Sequence, residues 1–423
     1  MRPPKKFTPH PFNYHEEIEL RIETLTNLGK GLGRIDGWVV MTPFTAPNEY
    51  VRVRVFRNHS QYSEADLIEV LEPAPQRRKP RCSLFTKCGG CQYQHLDYAF
   101  QLEWKQRHVS ELFERFTKTP ITIQPIQSAP PNYGYRSKLT PHYPKRRSAS
   151  VPPMKDTTVI DPIGFKGVYG NRIVDVPECP LATDAINQTL TVERQKLHRE
   201  SPIKAKKSVR GGTLLLRQGL EGVTTDPRAV ISERIGERTF QFKAGDFFQN
   251  NPYVLPKLVD YVVAEAQGPG IHHLVDAYCG VGLFCISAAQ HFKSCFGIEI
   301  SVDAVRWAQA NALINGVDNC SFQVGEAAGL FNGLSFPGAI STVVIDPPRK
   351  GCDATFLKHL FAYAPQRVVY VSCDPATQVR DLTAFLSNNY TIETVQPFDL
   401  FPQTRHIENV VTLSRALKAG DSS

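Results

Sequence analysis

The chain has 423 residues, of which 41% are hydrophobic and 21% are charged, and its formal net charge at pH 7 is +8. This length is too great for one ordinary hydrophobic core, so two or three domains are expected. The composition argues against a disordered chain, and the lack of any run of roughly 18 consecutive apolar residues argues against a membrane span.

The charge is distributed unevenly. Residues 1–240 contain 37 Lys and Arg against 25 Asp and Glu, whereas residues 241–423 contain 12 against 16. A basic first part joined to a mildly acidic second part favours a nucleic-acid partner for the first part. Basic runs occur at 77–81 ("RRKPR"), 145–147 ("KRR") and 204–210 ("KAKKSVR"). Such runs are also common on solvated surfaces, so charge alone leaves both interpretations open.

The N-terminal segment "MRPPKKFTPH" is basic but lacks the apolar core of a secretory signal, and we therefore expect a cytoplasmic protein. Its ten cysteines are then not expected to form disulfides. Five of them lie mostly within apolar runs and are expected in the core: Cys279, Cys285, Cys295, Cys320 and Cys352.

Residues 13–74 are predicted to form a small β-barrel. Short alternating runs, such as "IELRIETL" at 18–25 and "YVRVRVF" at 50–56, are separated by turns that contain Gly or Asn. This pattern is typical of a small antiparallel barrel. The Pro-rich stretch at 72–81, "EPAPQRRKPR", then marks a domain boundary.

Residues 75–240 are predicted to form a mixed α+β domain, with a helix over 97–116, and to contain a metal centre. Three cysteines form a C-x5-C-x2-C run, and a fourth stands alone before a proline. Four thiolates suit either zinc or an iron–sulfur cluster. Zinc sites favour two C-x2-C pairs, so this spacing favours the cluster. The four are Cys82, Cys88, Cys91 and Cys179.

From residue 241 to 423, apolar strands alternate with amphipathic helices. This pattern predicts an α/β fold with a doubly wound, mostly parallel Rossmann-like sheet, in which ligands bind at the carboxyl ends of the strands. Gly280 and Gly282 permit a tight turn after the first strand. Glu299 ends the second strand, where a carboxylate can accept hydrogen bonds from both ribose hydroxyls of a nucleoside.

NAD enzymes show nearly the same glycine turn, so the identity of the nucleoside depends on further residues. Cys285 stands where the third glycine of the phosphate-binding G-x-G-x-x-G pattern would be, and Asp276 places an acidic group before the turn. Both features favour a cationic nucleoside without phosphate, such as S-adenosylmethionine, over NAD.

Together with the glycine turn, four stretches carry a resemblance to a known family. They are "GDFFQNNP" at 245–252, "IDPPRKG" at 345–351, "VVYVSCDPAT" at 368–377 and "DLFPQTRHIENV" at 399–410. In this order and spacing they resemble the 5-methyluridine RNA methyltransferases, which depend on S-adenosylmethionine, and the resemblance covers nearly the whole chain. The barrel resembles the TRAM domain of that family, although "APNEY" stands where members usually carry Pro-Gly-Glu.

The resemblance implies methylation of C5 of a uridine in structured RNA, with Cys373 as nucleophile and Glu408 as general base. C5 of uracil is a poor nucleophile, so a thiolate must first add to C6, and a base must afterwards remove the C5 proton. Neighbouring positive charge would favour the thiolate. The candidates for it are Arg349, Arg405 and His406.

The resemblance also implies the ligand contacts. S-adenosylmethionine would be held by Gln249, Tyr278, Glu299 and Asp346, and a [4Fe–4S] cluster by the four cysteines of the central domain. Tyr278 could instead be ordinary strand-end packing, and Asp346 a turn cap before a proline. Radical enzymes that combine a cluster with this donor typically use C-x3-C-x2-C, so we expect a structural or RNA-shaping cluster.

Two other functions remain open at this point: N-methylation of a base or amide through the Asp-Pro-Pro motif, and RNA binding by an inactive methyltransferase fold. N-methylation would need no cysteine, whereas the presence of every mapped residue argues against inactivity. A cluster together with a TRAM domain favours large-subunit ribosomal RNA over transfer RNA as the substrate, by analogy only. We expect a monomer.

Overall fold

A computed structural model of the chain describes residues 7–116, 121–144, 162–199 and 211–416. The basic runs at 145–147 and 204–210 lie outside the described residues, whereas the run at 77–81 lies within them. Among the helices of the described part, none is both long and apolar enough to cross a membrane.

The N-terminal part is a closed barrel of five strands in the order β1-β2-β3-β5-β4. The strands are β1 (Glu17–Leu25), β2 (Lys30–Ile35), β3 (Trp38–Pro43), β4 (Tyr50–Asn58) and β5 (Tyr62–Glu72). Apolar residues at every second position of β1 and β4, such as Ile22, Val51 and Val53, fill the barrel interior. All pairs are antiparallel except β3 with β5, which is parallel. The prediction of an antiparallel barrel is wrong for this one pair, because β4 lies between the two strands in the chain and returns on the other side of β5.

In its described residues, the central part contains two helices and small sheets. Its elements are α1 (Tyr98–Phe116), β6 (Lys138–Leu139), β7 (His142–Tyr143), β8 (Gly164–Lys166), β9 (Ile173–Asp175), α2 (Asp184–Arg199), β10 (Gly212–Thr213), β11 (Leu216–Gly219), β12 (Gly222–Thr224), β13 (Val230–Ile235) and β14 (Arg238–Lys243). The strands form the sheets β10-β7-β8-β9 and β12-β11-β6 and the hairpin β13-β14. The helix predicted over 97–116 is confirmed by α1.

The C-terminal part is a seven-stranded sheet in the order β17-β16-β15-β18-β19-β21-β20. Its elements are α3 (Leu255–Ala266), β15 (His273–Asp276), α4 (Leu283–Ala288), β16 (Ser294–Glu299), α5 (Val302–Ile314), β17 (Cys320–Val324), β18 (Ser341–Ile345), α6 (Ala354–Tyr363), β19 (Arg367–Ser372), α7 (Pro375–Ser387), β20 (Tyr390–Phe398) and β21 (Glu408–Arg415). Only β21 runs antiparallel to its neighbours β19 and β20. The predicted doubly wound, mostly parallel sheet is confirmed.

Both faces of this sheet are buried. Leu274, Val344 and Val369 face a core with α3 and α4, and their neighbours in the chain face a second core with α6 and α7. The central helix α1 joins that second core through Val109 and Phe113. The central part is therefore packed directly against the sheet.

Other contacts also connect the parts. Residues 123 and 127 pair with β20, and the buried Lys105 of α1 forms an ion pair with Asp399 at an Nζ–Oδ1 distance of 2.6 Å. The predicted boundary between residues 240 and 241 falls inside β14, and the side chain of Asn311 in α5 exchanges hydrogen bonds with the backbone of Gln241. The central part and the C-terminal sheet are therefore joined by strand pairing, an ion pair and hydrogen bonds.

Candidate active site

Cys373 is placed by a capped turn between β19 and α7. The Asp374 side chain accepts hydrogen bonds from the backbone N–H groups of Ala376 and Thr377, and Pro375 occupies the first turn of the helix. Asp at the N-cap and Pro directly after it are the residues that start a helix most sharply. The turn leaves Cys373 half-buried at the carboxyl end of β19, where a ligand can reach it.

Glu408 lies opposite Cys373 because of the strand register. β19 and β21 are antiparallel neighbours in which Ser372 pairs with Asn409. One step further along each strand brings residue 373 next to residue 408. Behind them, the Gln378 side chain donates to the carbonyl oxygens of Tyr370 and Asn409, at 2.8 and 3.2 Å, which fixes the two strands and α7 together.

Glu408 is 2% exposed, and its environment changes its acidity. Burial and the nearby Asp346 raise the pKa of the Glu408 carboxyl well above its usual range, against the opposing effect of Arg349. Burial raises the pKa of Asp346 to about 7. A carboxylate with a raised pKa is a stronger base, which suits it to removing a proton from carbon.

Cys373 has a pKa raised to about 11, first by burial and then by the negative charge of Glu408. Of the three cations considered from the sequence, Arg349 is the one that lowers this pKa, through its charge and a hydrogen bond to the thiol. His406 does not supply charge, because burial lowers its own pKa to about 4 and leaves it neutral. Arg405 lines the same cleft as Cys373. In the free protein at neutral pH, Cys373 is therefore a thiol.

Glu299 closes the glycine turn at the predicted donor site. Its Oε2 accepts from the backbone N–H of Gly280 at 3.2 Å and its Oε1 from that of Ser301 at 3.0 Å. Gly282, which starts α4, has a φ of 90°, and a Cβ there would lie 2.8 Å from the Ile286 side chain. This conformation is readily available only to glycine.

Asp276, the acidic residue that precedes the glycine turn, is fully buried. Within the described chain its Oδ2 atom has no hydrogen-bond partner. Burial, together with the charges of Asp346 and Glu299, raises the pKa of Asp276 to about 8. Three carboxyl groups thus lie at the ends of β15, β16 and β18, and they suit a cationic ligand better than a phosphate.

Gln249 is held separately, by a residue that the sequence analysis missed. Arg217 of β11 is completely buried and donates hydrogen bonds to the Gln249 carbonyl at 3.3 Å and to Asn250 Oδ1 at 2.8 Å. It also donates to Glu233 Oε2 at 3.0 Å and lies over the ring of Phe248. We call residues 248–250 the donor segment, because Gln249 is one of the residues expected to hold S-adenosylmethionine, the methyl donor. An arginine within the apolar run "LLLRQG" was the available signal, because a buried charge needs partners.

Tyr278 follows β15 and packs edge-on against Phe356 of α6, with ring centroids 5.7 Å apart. It is half-buried, so part of its ring remains available to a ligand. Burial raises the pKa of its hydroxyl above the ordinary value, which keeps Tyr278 neutral. The structure is compatible with both interpretations of this residue, strand-end packing and donor contact.

The four cysteines of the central part come together although nearly ninety positions of sequence separate Cys91 from Cys179. All four line one cavity of about 60 Å³ whose other walls include Leu84, Phe85 and Leu181. Burial, and to a smaller extent the neighbouring thiols, raise the pKa values of Cys88 and Cys179, and that of Cys91 to about 12. Within the described residues, no group of three or more His, Cys, Asp and Glu side chains has the arrangement needed to hold a metal ion.

A cleft of about 500 Å³ separates the barrel from the central part. Four basic side chains line it: Lys30, His142, Lys166 and Arg405. Arg405 also lines the smaller cleft beside Cys373, so the two clefts share a wall. The barrel contributes Asn27 to the smaller cleft. Barrel, central part and sheet therefore surround the approach to Cys373 together.

Comparison with known families agrees with this arrangement. A family model described as tRNA (Uracil-5-)-methyltransferase matches residues 228–331 and 335–416, and a TRAM domain model matches residues 14–68. The first match contains Cys373, Glu408 and the donor segment, and it begins before the domain boundary predicted at 240. The TRAM match falls inside the barrel predicted over 13–74.

Individual relatives cover nearly the whole chain. It is 37% identical to the tRNA (uracil(54)-C(5))-methyltransferase of Schizosaccharomyces pombe over 96% of its length and 80% of that protein. It is 35% identical to the Saccharomyces cerevisiae enzyme of the same name, covering 95% of this chain and 74% of that one. A Halalkalibacterium halodurans protein described as an uncharacterized RNA methyltransferase is 30% identical, covering 95% and 98%.

A solved structure shares the fold. The Pyrococcus abyssi tRNA (uracil-54, C5)-methyltransferase, crystallised with S-adenosyl-L-homocysteine, superimposes with a TM-score of 0.72 at 24% sequence identity. The match covers 94% of this chain and 100% of the other. The arrangement of barrel, central part and sheet therefore exists in an experimental structure.

Proposed function

Because the chain belongs to the family of S-adenosylmethionine-dependent RNA (uracil-C5)-methyltransferases, we propose that it methylates C5 of a uridine in transfer RNA, with Cys373 as nucleophile and Glu408 as base. The observation that supports the residue assignment is the register of β19 and β21, in which Ser372 pairs with Asn409, so that residues 373 and 408 are the next positions along the two strands. The family leaves no support for N-methylation or for an inactive RNA-binding protein as the function.

The reaction uses these residues in sequence. The thiol of Cys373, which lines an open cleft, loses its proton to solvent, helped by the Arg349 guanidinium, and the sulfur adds to C6 of the flipped-out uracil. The electron pair that this addition places at C5 attacks the sulfonium methyl group and releases S-adenosylhomocysteine. Glu408 then takes the C5 proton, and the C6–S bond breaks to restore the ring and free the thiolate. The raised pKa of Glu408 matches this last proton transfer.

Two substitutions test the assignment. Cys373→Ala should abolish 5-methyluridine formation from labelled donor, because no C6 adduct forms. Glu408→Gln should still add and methylate but release product slowly, so a covalent protein–RNA adduct should accumulate on a denaturing gel. The control is Glu237→Gln, an exposed position in the turn between β13 and β14 that should behave like the wild type. Unimpaired turnover by Cys373→Ala, or normal release without adduct by Glu408→Gln, would contradict the mechanism.

For the RNA, we propose transfer RNA and the position equivalent to uridine 54. The support is that the two yeast relatives are both named for uracil 54 of transfer RNA. The expectation of ribosomal RNA finds no support in these comparisons. The test is to map 5-methyluridine in both RNAs from a strain that lacks this protein. Loss in ribosomal RNA alone would overturn the proposal.

The cleft between the barrel and the central part is proposed to hold the RNA backbone, because its cations can pair with phosphates. Lys166 is exposed there. Lys166→Ala should weaken RNA binding and reduce the slope of log K against log salt by about 1. Lys257→Ala, at an exposed position on α3 outside this cleft, serves as the control. Equal effects of the two substitutions would count against the cleft as the RNA path.

For the four cysteines, we propose a [4Fe–4S] cluster with a structural role. The C-x5-C-x2-C spacing favours a cluster over zinc, and the four thiols line one cavity. When bound, the cluster would tie the loop at 82–91 to residue 179.

Anaerobically purified protein should be brown and contain iron and sulfide. Cys91→Ser should lose the colour, while Cys320→Ser should keep it, because Cys320 of β17 does not line this cavity. A colourless preparation that contains zinc would overturn the proposal.

We also propose a cytoplasmic location and a monomeric state. Size-exclusion chromatography with light scattering tests the monomeric state.

A further inference from the structure

The segment that leads to Glu408 has little regular structure of its own. β20 ends at Phe398 and β21 begins at Glu408, and we call residues 399–407 the base loop. Gln403 in this loop is 2% exposed and has a φ of 67°, a conformation that few residues other than glycine adopt. Such a backbone needs contacts from outside to hold it.

Those contacts come from the loop that carries two of the cysteines, residues 88–96, which we call the cysteine loop. The Gln403 carbonyl oxygen accepts hydrogen bonds from the backbone N–H groups of Gln92 at 3.1 Å and Tyr93 at 3.0 Å. These two residues follow Cys91 directly in the chain. The cysteine loop and the base loop are therefore joined through the backbone, although more than 300 positions separate them in sequence.

Gln101 of α1 is the first side chain that bridges the two loops. Its Nε2 donates to Gln403 Oε1 at 3.0 Å and to the carbonyl oxygens of Tyr93 and Leu96 at 3.2 and 2.9 Å. Its Oε1 accepts from the Gln403 backbone N–H at 3.1 Å. Gln101 is 1% exposed, so water does not readily replace these bonds.

Gln92 is the second bridging side chain. Its Nε2 donates to the Gly89 carbonyl oxygen at 3.1 Å, and its Oε1 accepts from the Arg405 backbone N–H at 3.3 Å. Gly89 lies between Cys88 and Cys91, whereas Arg405 precedes Glu408 by three residues. One side chain thus connects the backbone between Cys88 and Cys91 to the part of the base loop that leads to Glu408.

We propose that Gln92 and Gln101 are positioning residues that transmit the conformation of the cysteine loop to Glu408. Engagement of Cys88 and Cys91 by a cluster would hold the amides that follow them, and these amides hold Gln403. The inference rests on the proposed role of Glu408 as the base. It gives the four-cysteine centre a part in the reaction that requires no electron transfer.

The test compares three leucine substitutions in the full-length protein. Gln92→Leu and Gln101→Leu remove the bridges, and Gln106→Leu is the matched control. Gln106 lies on α1 as well, and its buried Oε1 accepts no hydrogen bond from the described residues. Because misplacement of a reacting group by about 1 Å costs roughly 100-fold in rate, we expect kcat to fall roughly 10- to 100-fold in the first two variants and not in the control. The KM for S-adenosylmethionine should stay unchanged.

Two further measurements separate positioning from general damage to the fold. A misplaced Glu408 leaves addition and methyl transfer possible, so the covalent Cys373–RNA adduct should accumulate in both variants. Amide hydrogen exchange in peptides from 400–409 should become about 10-fold faster in Gln92→Leu, since removal of a hydrogen bond raises the equilibrium constant for local opening by about that factor. The same increase in exchange is expected for Cys91→Ala, and this readout does not depend on enzyme activity.

The effects of the two bridges should not be additive. Because both act on one loop, the double variant should lose less kcat than the product of the single losses. Loss of kcat without adduct, or unchanged exchange at 400–409 in Gln92→Leu and Cys91→Ala, would overturn the inference. Glu408→Gln distinguishes failure of this inference from failure of the proposed function, because absence of adduct in that variant would refute the role of Glu408 as the base. Gln92 is half-buried, so its variant remains informative if Gln101→Leu does not fold.

Discussion

Replacing Arg349 by Met and Glu408 by Gln should move the pKa of Cys373 in opposite directions. Burial and the Glu408 charge raise this pKa to about 11, and Arg349 opposes them. A thiol with its pKa raised keeps its proton to higher pH, so its alkylation is slower at neutral pH. Arg349→Met should raise the pKa further and slow alkylation, whereas Glu408→Gln should lower it and accelerate alkylation.

The magnitude for the wild type follows from the same value. With a pKa of about 11, roughly 0.1% of Cys373 is thiolate at pH 8, against about a quarter of an ordinary exposed cysteine with a pKa of about 8.5. This ratio of roughly 200 is offset about 10-fold, because a thiolate of higher pKa is intrinsically more nucleophilic. Cys373 should therefore react with iodoacetamide roughly 20-fold more slowly than an exposed thiol at pH 8.

The assay is the pseudo-first-order rate of alkylation of the Cys373 peptide, followed by mass spectrometry under anaerobic conditions from pH 7 to pH 11. The wild-type rate should rise about tenfold per pH unit until close to pH 10. A plateau at or below pH 8.5 would refute the reasoning, because the thiol would then not be held in its protonated form. The reasoning would also be refuted if Arg349→Met and Glu408→Gln shifted the pKa of Cys373 in the same direction.

Two further predictions concern buried charges. Lys105→Met leaves Asp399 buried without its partner and should lower the free energy of unfolding by about 3–5 kcal/mol, whereas Arg107→Met, which breaks an exposed pair on the same helix, should cost about 0.5 kcal/mol. Chemical denaturation measures both, and similar losses would show that burial of the first pair has no special cost. Arg217→Met should weaken S-adenosylhomocysteine binding by about 10-fold in calorimetry, because the donor segment loses its charged hydrogen-bond donor, and Arg228→Met, at an exposed site, should not. An unchanged affinity for Arg217→Met in a folded protein would mean that the segment is held by other contacts.

The sequence determined the parts of the fold that depend on local pattern. Apolar strands alternating with helices predicted the C-terminal sheet, and an Asp-Pro pair after a strand predicted a turn at the site of Cys373. These features follow from side-chain periodicity and capping, which act over a few residues. The parallel pairing of β3 and β5 did not follow from them, because an alternating strand reads the same in either direction.

The motif residues were also readable from the sequence, since each candidate donor contact stands within a short segment or at a strand end. The pKa values of the site residues could not be predicted from the sequence. The expectation that neighbouring cations favour the Cys373 thiolate holds for Arg349 but is outweighed by burial and by Glu408, so the net effect is a raised pKa. His406, one of the candidate cations, is neutral for the same reason. Desolvation depends on every chain segment packed around a group, which no local pattern contains.

What only the tertiary structure decided is which distant segments meet. The register of two antiparallel strands sets residue 373 opposite residue 408, and the hydrogen bonds of Gln92 and Gln101 join the cysteine loop to the base loop. Arg217 reaches the donor segment from a strand of the central part. The sequence therefore determined which residues are proposed to carry the chemistry, whereas long-range packing determined their mutual positions, because contacts between remote segments exist only once the chain has folded.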